Sequence, residues 1–192
     1  MSAPTTDTST TTVTVVEQAK PAHSTTAAED PAAPTDANSP HLQLVLATAE
    51  EAIAQSHKNA TSWRGPLQLE AYLRRESHLA SQAFTRDGGL TTWVLVSTSV
   101  DPSKRKALAG CETYRKRALV TKKGKVEEVM AHGIGSVFSE YRGRGYGARM
   151  MKELGEKLRT WQVVKEQCLF SILYSDIGKV CLHTSPSLHE LC

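Results

Sequence analysis

The chain is short of the features that mark several large protein classes. None of its apolar stretches, in 192 residues, approaches the length that crosses a bilayer, about 20 residues, so no membrane partner is expected. Its four cysteines, Cys111, Cys168, Cys181 and Cys192, follow no regular spacing and no signal sequence, which predicts reduced thiols in an intracellular, cytoplasmic protein. Residues 1–40 contain no arginine and almost no large apolar residue beyond Val13, Val15 and Val16. An organellar presequence would be Arg-rich and acid-poor, so this Thr-, Ala- and Pro-rich stretch reads instead as a disordered, solvated tail. Gly-Lys-Ser/Thr is missing, which removes a P-loop. Gly143, Gly145 and Gly147 lack the Gly-x-Gly-x-x-Gly spacing of a dinucleotide site, and no strand ending in an acid follows where that site requires one.

The net charge of +3 conceals a division. Residues 1–40 carry five acids and one base, net −4, which leaves 22 basic and 15 acidic residues, net +7, for the rest. A basic body suits an anionic, nucleotide-like ligand and equally suits nucleic acid. The densest basic run is Arg115, Lys116, Arg117, Lys122, Lys123 and Lys125, around one turn. No aromatic residues interleave there as single-strand binding would favour, so nucleic acid is not expected as a partner. The run reads as a solvated hairpin end, with contact to an acidic partner as the alternative.

What is present is concentrated between Val137 and Ala148, Val-Phe-Ser-Glu-Tyr-Arg-Gly-Arg-Gly-Tyr-Gly-Ala. An apolar, strand-like run precedes it. A segment with Met150, Met151, Leu154, Leu158 and Trp161 at helical spacing follows it, and that stripe reads as the buried face of a helix. Strand, glycine-rich turn and helix together bring unpaired backbone N–H groups to a positive helix end, where a phosphate is favoured. Gly143, Gly145 and Gly147 admit φ > 0 and close approach, while Arg142 and Arg144 add fixed positive charge. The stretch predicts a diphosphate cradle.

Hydrophobic patterning orders the rest. Leu42, Leu44 and Leu46 alternate as a strand, and Thr48 with Glu51 forms a capping box for a helix to about His57. A turn at 63–66 leads into an amphipathic helix over 67–84, stopped by Asp87-Gly88-Gly89. Strands at 91–97, 107–120 and 126–138, separated by polar turns, form an antiparallel meander. The helix spans 148–161, a buried strand covers 169–174, and Ser175 and Asp176 offer an N-cap to a further helix. In the third meander strand, Val129, Ala131, Gly133, Gly135 and Val137 alternate with Met130, His132, Ile134, Ser136 and Phe138. Two glycines inside a strand predict a bulge or a close approach, and a bulge would free backbone groups for an extended, amide-bearing ligand.

Arg142-Gly143-Arg144-Gly145-Tyr146-Gly147 resembles the Arg/Gln-x-x-Gly-x-Gly/Ala signature of the GNAT N-acetyltransferase superfamily, and the element order from Leu42 to Tyr174 is similar to the GNAT order. More narrowly, Cys111 to Arg117, His132 to Phe138 and Leu173 to Lys179 resemble segments of the fungal lysine N-acetyltransferase family. The resemblance implies an α+β, three-layer fold with a mixed, mostly antiparallel sheet flanked by helices. It also implies acetyl transfer from acetyl-CoA to an amine, in that family the side-chain amine of free L-lysine. Arg142, Gly143, Arg144, Gly145, Tyr146, Gly147 and Ala148 would hold the CoA diphosphate, and Val137, Phe138 and Ser139 would offer backbone groups to the pantetheine.

Free lysine titrates near ~10.4, so attack by a neutral amine calls for a base, and the leaving thiolate calls for an acid. Glu112 and His132 are the candidate bases, each with an ordinary structural role as the alternative; Glu127 and Glu128 lie nearer a turn. The family-like region is 41–179, and 180–192 departs from it. The expectation is a foreign tail from truncation, splicing or a frame change, with neither the usual tyrosine acid nor the closing strands. A non-catalytic module that binds CoA or a protein partner is therefore the alternative function. Cys181, His183, His189 and Cys192 have poor zinc spacing, and no metal is expected.

Overall fold

The computed structural model describes residues 36–122, 124–163 and 168–173. The elements run β1 (Leu42–Leu46), α1 (Ala49–Trp63), α2 (Leu69–Ala80), β2 (Leu90–Ser97), β3 (Ala109–Lys122), β4 (Lys125–Ser139), α3 (Tyr146–Leu158) and β5 (Cys168–Leu173). One sheet has the order β1-β2-β3-β4-β5, with β1 to β4 antiparallel and β5 parallel to β4. This is the mixed, mostly antiparallel α+β sheet that the resemblance implied, and β2 to β4 form the meander that the patterning predicted. The N-cap expected at Ser175, the candidate zinc ligands and the tail at 180–192 lie outside the described residues, as does nearly all of the segment read as a disordered tail.

Strand alternation divides the sheet into two faces. Leu42, Leu44, Trp93, Leu95, Ala109, Cys111 and Ile134 meet Met150, Met151, Leu154 and Leu158 of α3 in one core. Full burial of each large side chain contributes roughly 1.5–3 kcal/mol, which makes this packing the main stabilisation of α3. The opposite face carries α1 and α2, with Gln55 of α1 lying against Gly110 of β3.

The helix ends differ from expectation for identifiable reasons. The Thr48–Glu51 capping box is present. However, α1 continues past His57 to Trp63, because its later residues are held from outside and within. Lys58 Nζ donates to Ala107 O at 2.9 Å, and buried Asn59 accepts from Gln55 at 3.0 Å. Gly65, at φ +56°, and Pro66 then end it. Helix α2 is shorter than 67–84 because local hydroxyls take its terminal carbonyls. Ser81 Oγ donates to His78 O at 2.7 Å, and Thr85 Oγ1 donates to Leu79 O. Phe84 leaves the helix line and lies parallel to the Tyr114 ring.

The bulge in β4 falls one residue beyond the glycines. Gly110 pairs with Phe138 and Glu112 with Gly135, so Ser136 and Val137 together stand opposite Cys111. Ser136 takes φ +51°, a left-handed conformation rare for a residue with a side chain. The alternation breaks at this point. Val137 packs on the α3 core, whereas Phe138 meets Trp63 of α1 edge-on at 6.3 Å.

Candidate active site

The turn between β4 and α3 is built by backbone conformation. Gly143 and Gly145 both sit at φ +80°, and Gly145 is the N-cap of α3 with no side chain capping the helix. The helix begins at Tyr146, two residues earlier than its apolar stripe predicts, because buried Tyr146 anchors the first turn by packing edge-on against Tyr141 at 6.1 Å. The first i to i−4 bond shown here is Arg149 N–H to Gly145 O at 3.0 Å. The N–H groups ahead of it have no partner within the helix, and the positive end of the dipole coincides with them.

Gly147 is not at positive φ; a Cβ there would meet Ser139 at an ordinary 3.9 Å, so only two of the three glycines are required by conformation. A Cβ at Gly143 would stand in open space, so the turn is approachable by a ligand. Arg142 is exposed, and the Arg144 guanidinium lies 5.5 Å above the Tyr141 ring. An open groove of about 960 Å³ starts at Gly143 to Gly145 and follows Ala148, Arg149 and Lys152 along α3. Asp36, Glu153 and Glu156 line the same groove, with Arg149 paired to Glu153, so the end that suits an anionic diphosphate is the turn itself, with its glycines, its N–H groups and Arg144.

Glu112 lies on the other side of the sheet, facing α1 and α2. Its Oε2 accepts two hydrogen bonds, from Tyr114 Oη at 2.7 Å and from Ser136 Oγ at 2.8 Å. Tyr114 is two residues along the same strand and therefore on the same face. Ser136 reaches that face only because of the bulge. Burial first, then the Glu112 charge and hydrogen bond, raise the Tyr114 phenol well above its ordinary range, so it stays a donor. From α2, Tyr72 is buried toward the same face, with the Arg75 guanidinium 4.7 Å over its ring and Arg75 bonded to Glu76 at 2.8 Å. Burial raises the Tyr72 phenol too, with Glu76 the next cause.

His132 is elsewhere. It pairs with Arg115 across the sheet, so it shares the face of Ile134, packed toward α3, and it is fully buried. Its Nδ1 is 3.3 Å from Cys168 Sγ of β5. Burial lowers its pKa, against an opposing hydrogen bond from Gln162 and with a further contribution from Arg115. The structure thus brings Glu112 together with Tyr114 and Ser136 and puts His132 behind the sheet. Val137, Phe138 and Ser139 end β4 immediately before the turn, and the β4–β5 pairing among the described residues reaches only Ile134 opposite Leu173. Exposed Glu128 is taken by Arg117 on the hairpin. Sequence reasoning did not select Tyr114 or Ser136. The i, i+2 relation of Glu112 and Tyr114 was a usable signal; Ser136 gave none.

No family model matches the chain. A curated relative, a lysine acetyltransferase of Yarrowia lipolytica (strain CLIB 122 / E 150), is 33% identical over 95 residues, 48% of this chain and 23% of that protein. Among solved structures, a transcriptional regulator from Bacillus halodurans C-125 superposes with TM-score 0.50 at 15% identity, covering 78% of this chain and 99% of that one. An acetyltransferase from Trypanosoma brucei gives 0.44 at 19% identity, covering 70% and 82%. The superposition on the Bacillus halodurans structure shows a shared fold, a mixed, mostly antiparallel sheet flanked by helices. The curated similarity is to a lysine acetyltransferase, of whose length the matched stretch spans less than a quarter.

Proposed function

We propose that this chain transfers an acetyl group from acetyl-CoA to an amine, with the side-chain amine of L-lysine as the favoured acceptor. The observation that supports the reading is a glycine turn after β4 and a fixed carboxylate across the sheet from it. The turn from Arg142 to Ala148 offers helix N–H groups and arginines suited to a diphosphate. One bulge away, Glu112 presents a carboxylate on the acceptor side. The curated similarity to a lysine acetyltransferase supports the choice of acceptor.

Acetyl-CoA supplies a thioester, an acyl carbon open to attack. Arg142 and Arg144 would offset diphosphate charge, and the edge of β4 at Val137 to Ser139 would align the extended arm with main-chain groups. A lysine side chain arrives as an ammonium, which the Glu112 carboxylate attracts and, as base, deprotonates, directly or through one water. His132, closed off behind the sheet, contributes packing and its contact with Cys168 instead. The test measures CoA release by the purified chain with L-lysine, beside calorimetric binding of CoA. Turnover saturable in lysine is expected. CoA binding without turnover, over a panel of amines, would instead identify a non-catalytic CoA-binding module.

A further inference from the structure

We infer that Tyr114 and Ser136 are positioning residues that fix one oxygen of Glu112 and leave the other for the acceptor amine; the inference rests on the acetyltransferase reading above. Both hydrogen bonds converge on Oε2. Among the described residues, none reaches Oε1. A carboxylate on a strand ordinarily samples several rotamers, and two donors on one oxygen remove that freedom while keeping the second oxygen available.

The surrounding backbone is shaped for this arrangement. Gly135 pairs with Glu112, and a Cβ on it would come 3.3 Å from Tyr114 Cε2, closer than ordinary contact. The absence of a side chain therefore lets the Tyr114 ring lie along the strand, with the Phe84 ring parallel to it at 6.1 Å. Ser136 holds φ +51°, where a non-glycine residue is strained by about 1–2 kcal/mol. Glycine would relieve that strain, but it would remove the hydroxyl that reaches Glu112. Strain retained beside a functional group is a common mark of positioning.

In the step this serves, Glu112 Oε1 accepts a proton from the acceptor ammonium. An N–H bond breaks and an O–H bond forms, giving a neutral amine and a carboxylic acid. The amine nitrogen then bonds to the acetyl carbon as the C–S bond breaks. The acylated nitrogen sheds its second proton, which the thiolate takes up to give the CoA thiol, and the acid returns its proton to solvent.

The test uses Tyr114→Phe, Ser136→Ala and Ser136→Gly in the full chain, with two readouts. Carbon-detected NMR follows the Glu112 carboxyl resonance at one fixed pH, and steady-state kinetics separate kcat from KM. Each variant removes one of the two donors on Oε2, so the carboxyl resonance moves from its wild-type position. Expected with this is a fall of about tenfold in kcat, while KM for acetyl-CoA stays within twofold. Ser136→Gly is expected to be more stable than Ser136→Ala yet equally impaired, which a merely structural role does not produce. An unmoved Glu112 carboxyl resonance in the variants, or Ser136→Gly with wild-type kinetics, overturns the inference by itself. A moved resonance in the variants, beside a wild-type chain that turns over no amine, overturns the acetyltransferase reading, and with it the catalytic role of the anchored carboxylate.

Discussion

Gly110 lies where β3 passes beneath α1, and a Cβ there would stand 2.6 Å from Cδ and Oε1 of Gln55. Gln55 cannot swing away cheaply, because it is buried and donates to Asn59 at 3.0 Å. Gly110→Ala is therefore expected to destabilise the fold by about 1–3 kcal/mol, the usual range for overpacking, read as a lower urea midpoint with an unchanged slope. By contrast, Gly147→Ala meets only ordinary contact and should leave the midpoint nearly unchanged. At this scale the sequence was partly legible. Glu112 stood out as an acid among apolar neighbours, and Tyr114 was recoverable from strand alternation. Ser136 was not, since nothing in a serine announces a left-handed backbone angle; the bulge there is set by pairing with β3. His132 looked eligible on chemistry alone, and only the two-sidedness of the sheet puts it behind Glu112.

The first turn of α1 ties local sequence to tertiary structure. Glu51 caps the Thr48 N–H at 2.9 Å and also accepts from Arg105 Nε at 2.7 Å, on the loop between β2 and β3. Burial alone would raise its pKa, but the bonds from Arg105 and Thr48 outweigh it and hold the carboxyl below its ordinary value. A depressed folded pKa contributes stability that is complete above the unfolded value, about 4.3, and is lost as pH falls through the folded value. The wild type should accordingly lose urea resistance below about pH 5, and Glu51→Gln should flatten that decline. An identical acid slope in the variant would place the dependence on other carboxylates. The box was visible in the sequence because it is local. The ends of α1 and α2 were not, because Lys58, Asn59 and Thr85 stabilise or terminate them through partners that spacing does not reveal.

β1 is an edge strand whose outer side is covered by α3, and this contact links the helix after the glycine turn to the far edge of the sheet. Leu44 N–H donates to Glu153 Oε2 at 2.7 Å, and Arg149 bonds to the other oxygen of Glu153 while donating to Leu42 O at 3.2 Å. An unpaired strand edge is a template for association, so this cover has a protective role as well as a stabilising one. Glu153→Ala leaves a partly buried N–H without its acceptor, at a cost of about 1–3 kcal/mol. Hydrogen exchange at the Leu44 amide should accelerate by tenfold or more, while amides in β3 change only with global stability.

Across the whole molecule, β4 is the shared wall between two differently built sides. The α3 side supplies the turn with Gly143 and Gly145 at φ +80°, and the α1/α2 side supplies Glu112 with its two hydroxyl donors. Because these groups are separated by the sheet, their contributions should be separable in kinetics. Arg142 is exposed on the turn and acts through charge, so Arg142→Ala should weaken CoA binding about 3- to 30-fold, the range of a charge-assisted contact of roughly 1–2 kcal/mol. That loss should shrink as salt is raised, since exposed charges are screened. Glu112→Gln preserves shape and removes the carboxylate proposed as base, so it should lower kcat by 10²-fold or more while CoA affinity stays within twofold. If instead Glu112→Gln weakened CoA binding and Arg142→Ala lowered kcat alone, the division of labour across β4 would be wrong. The two variants in combination are expected to multiply their effects, because groups on opposite faces of the sheet that share no partner couple weakly.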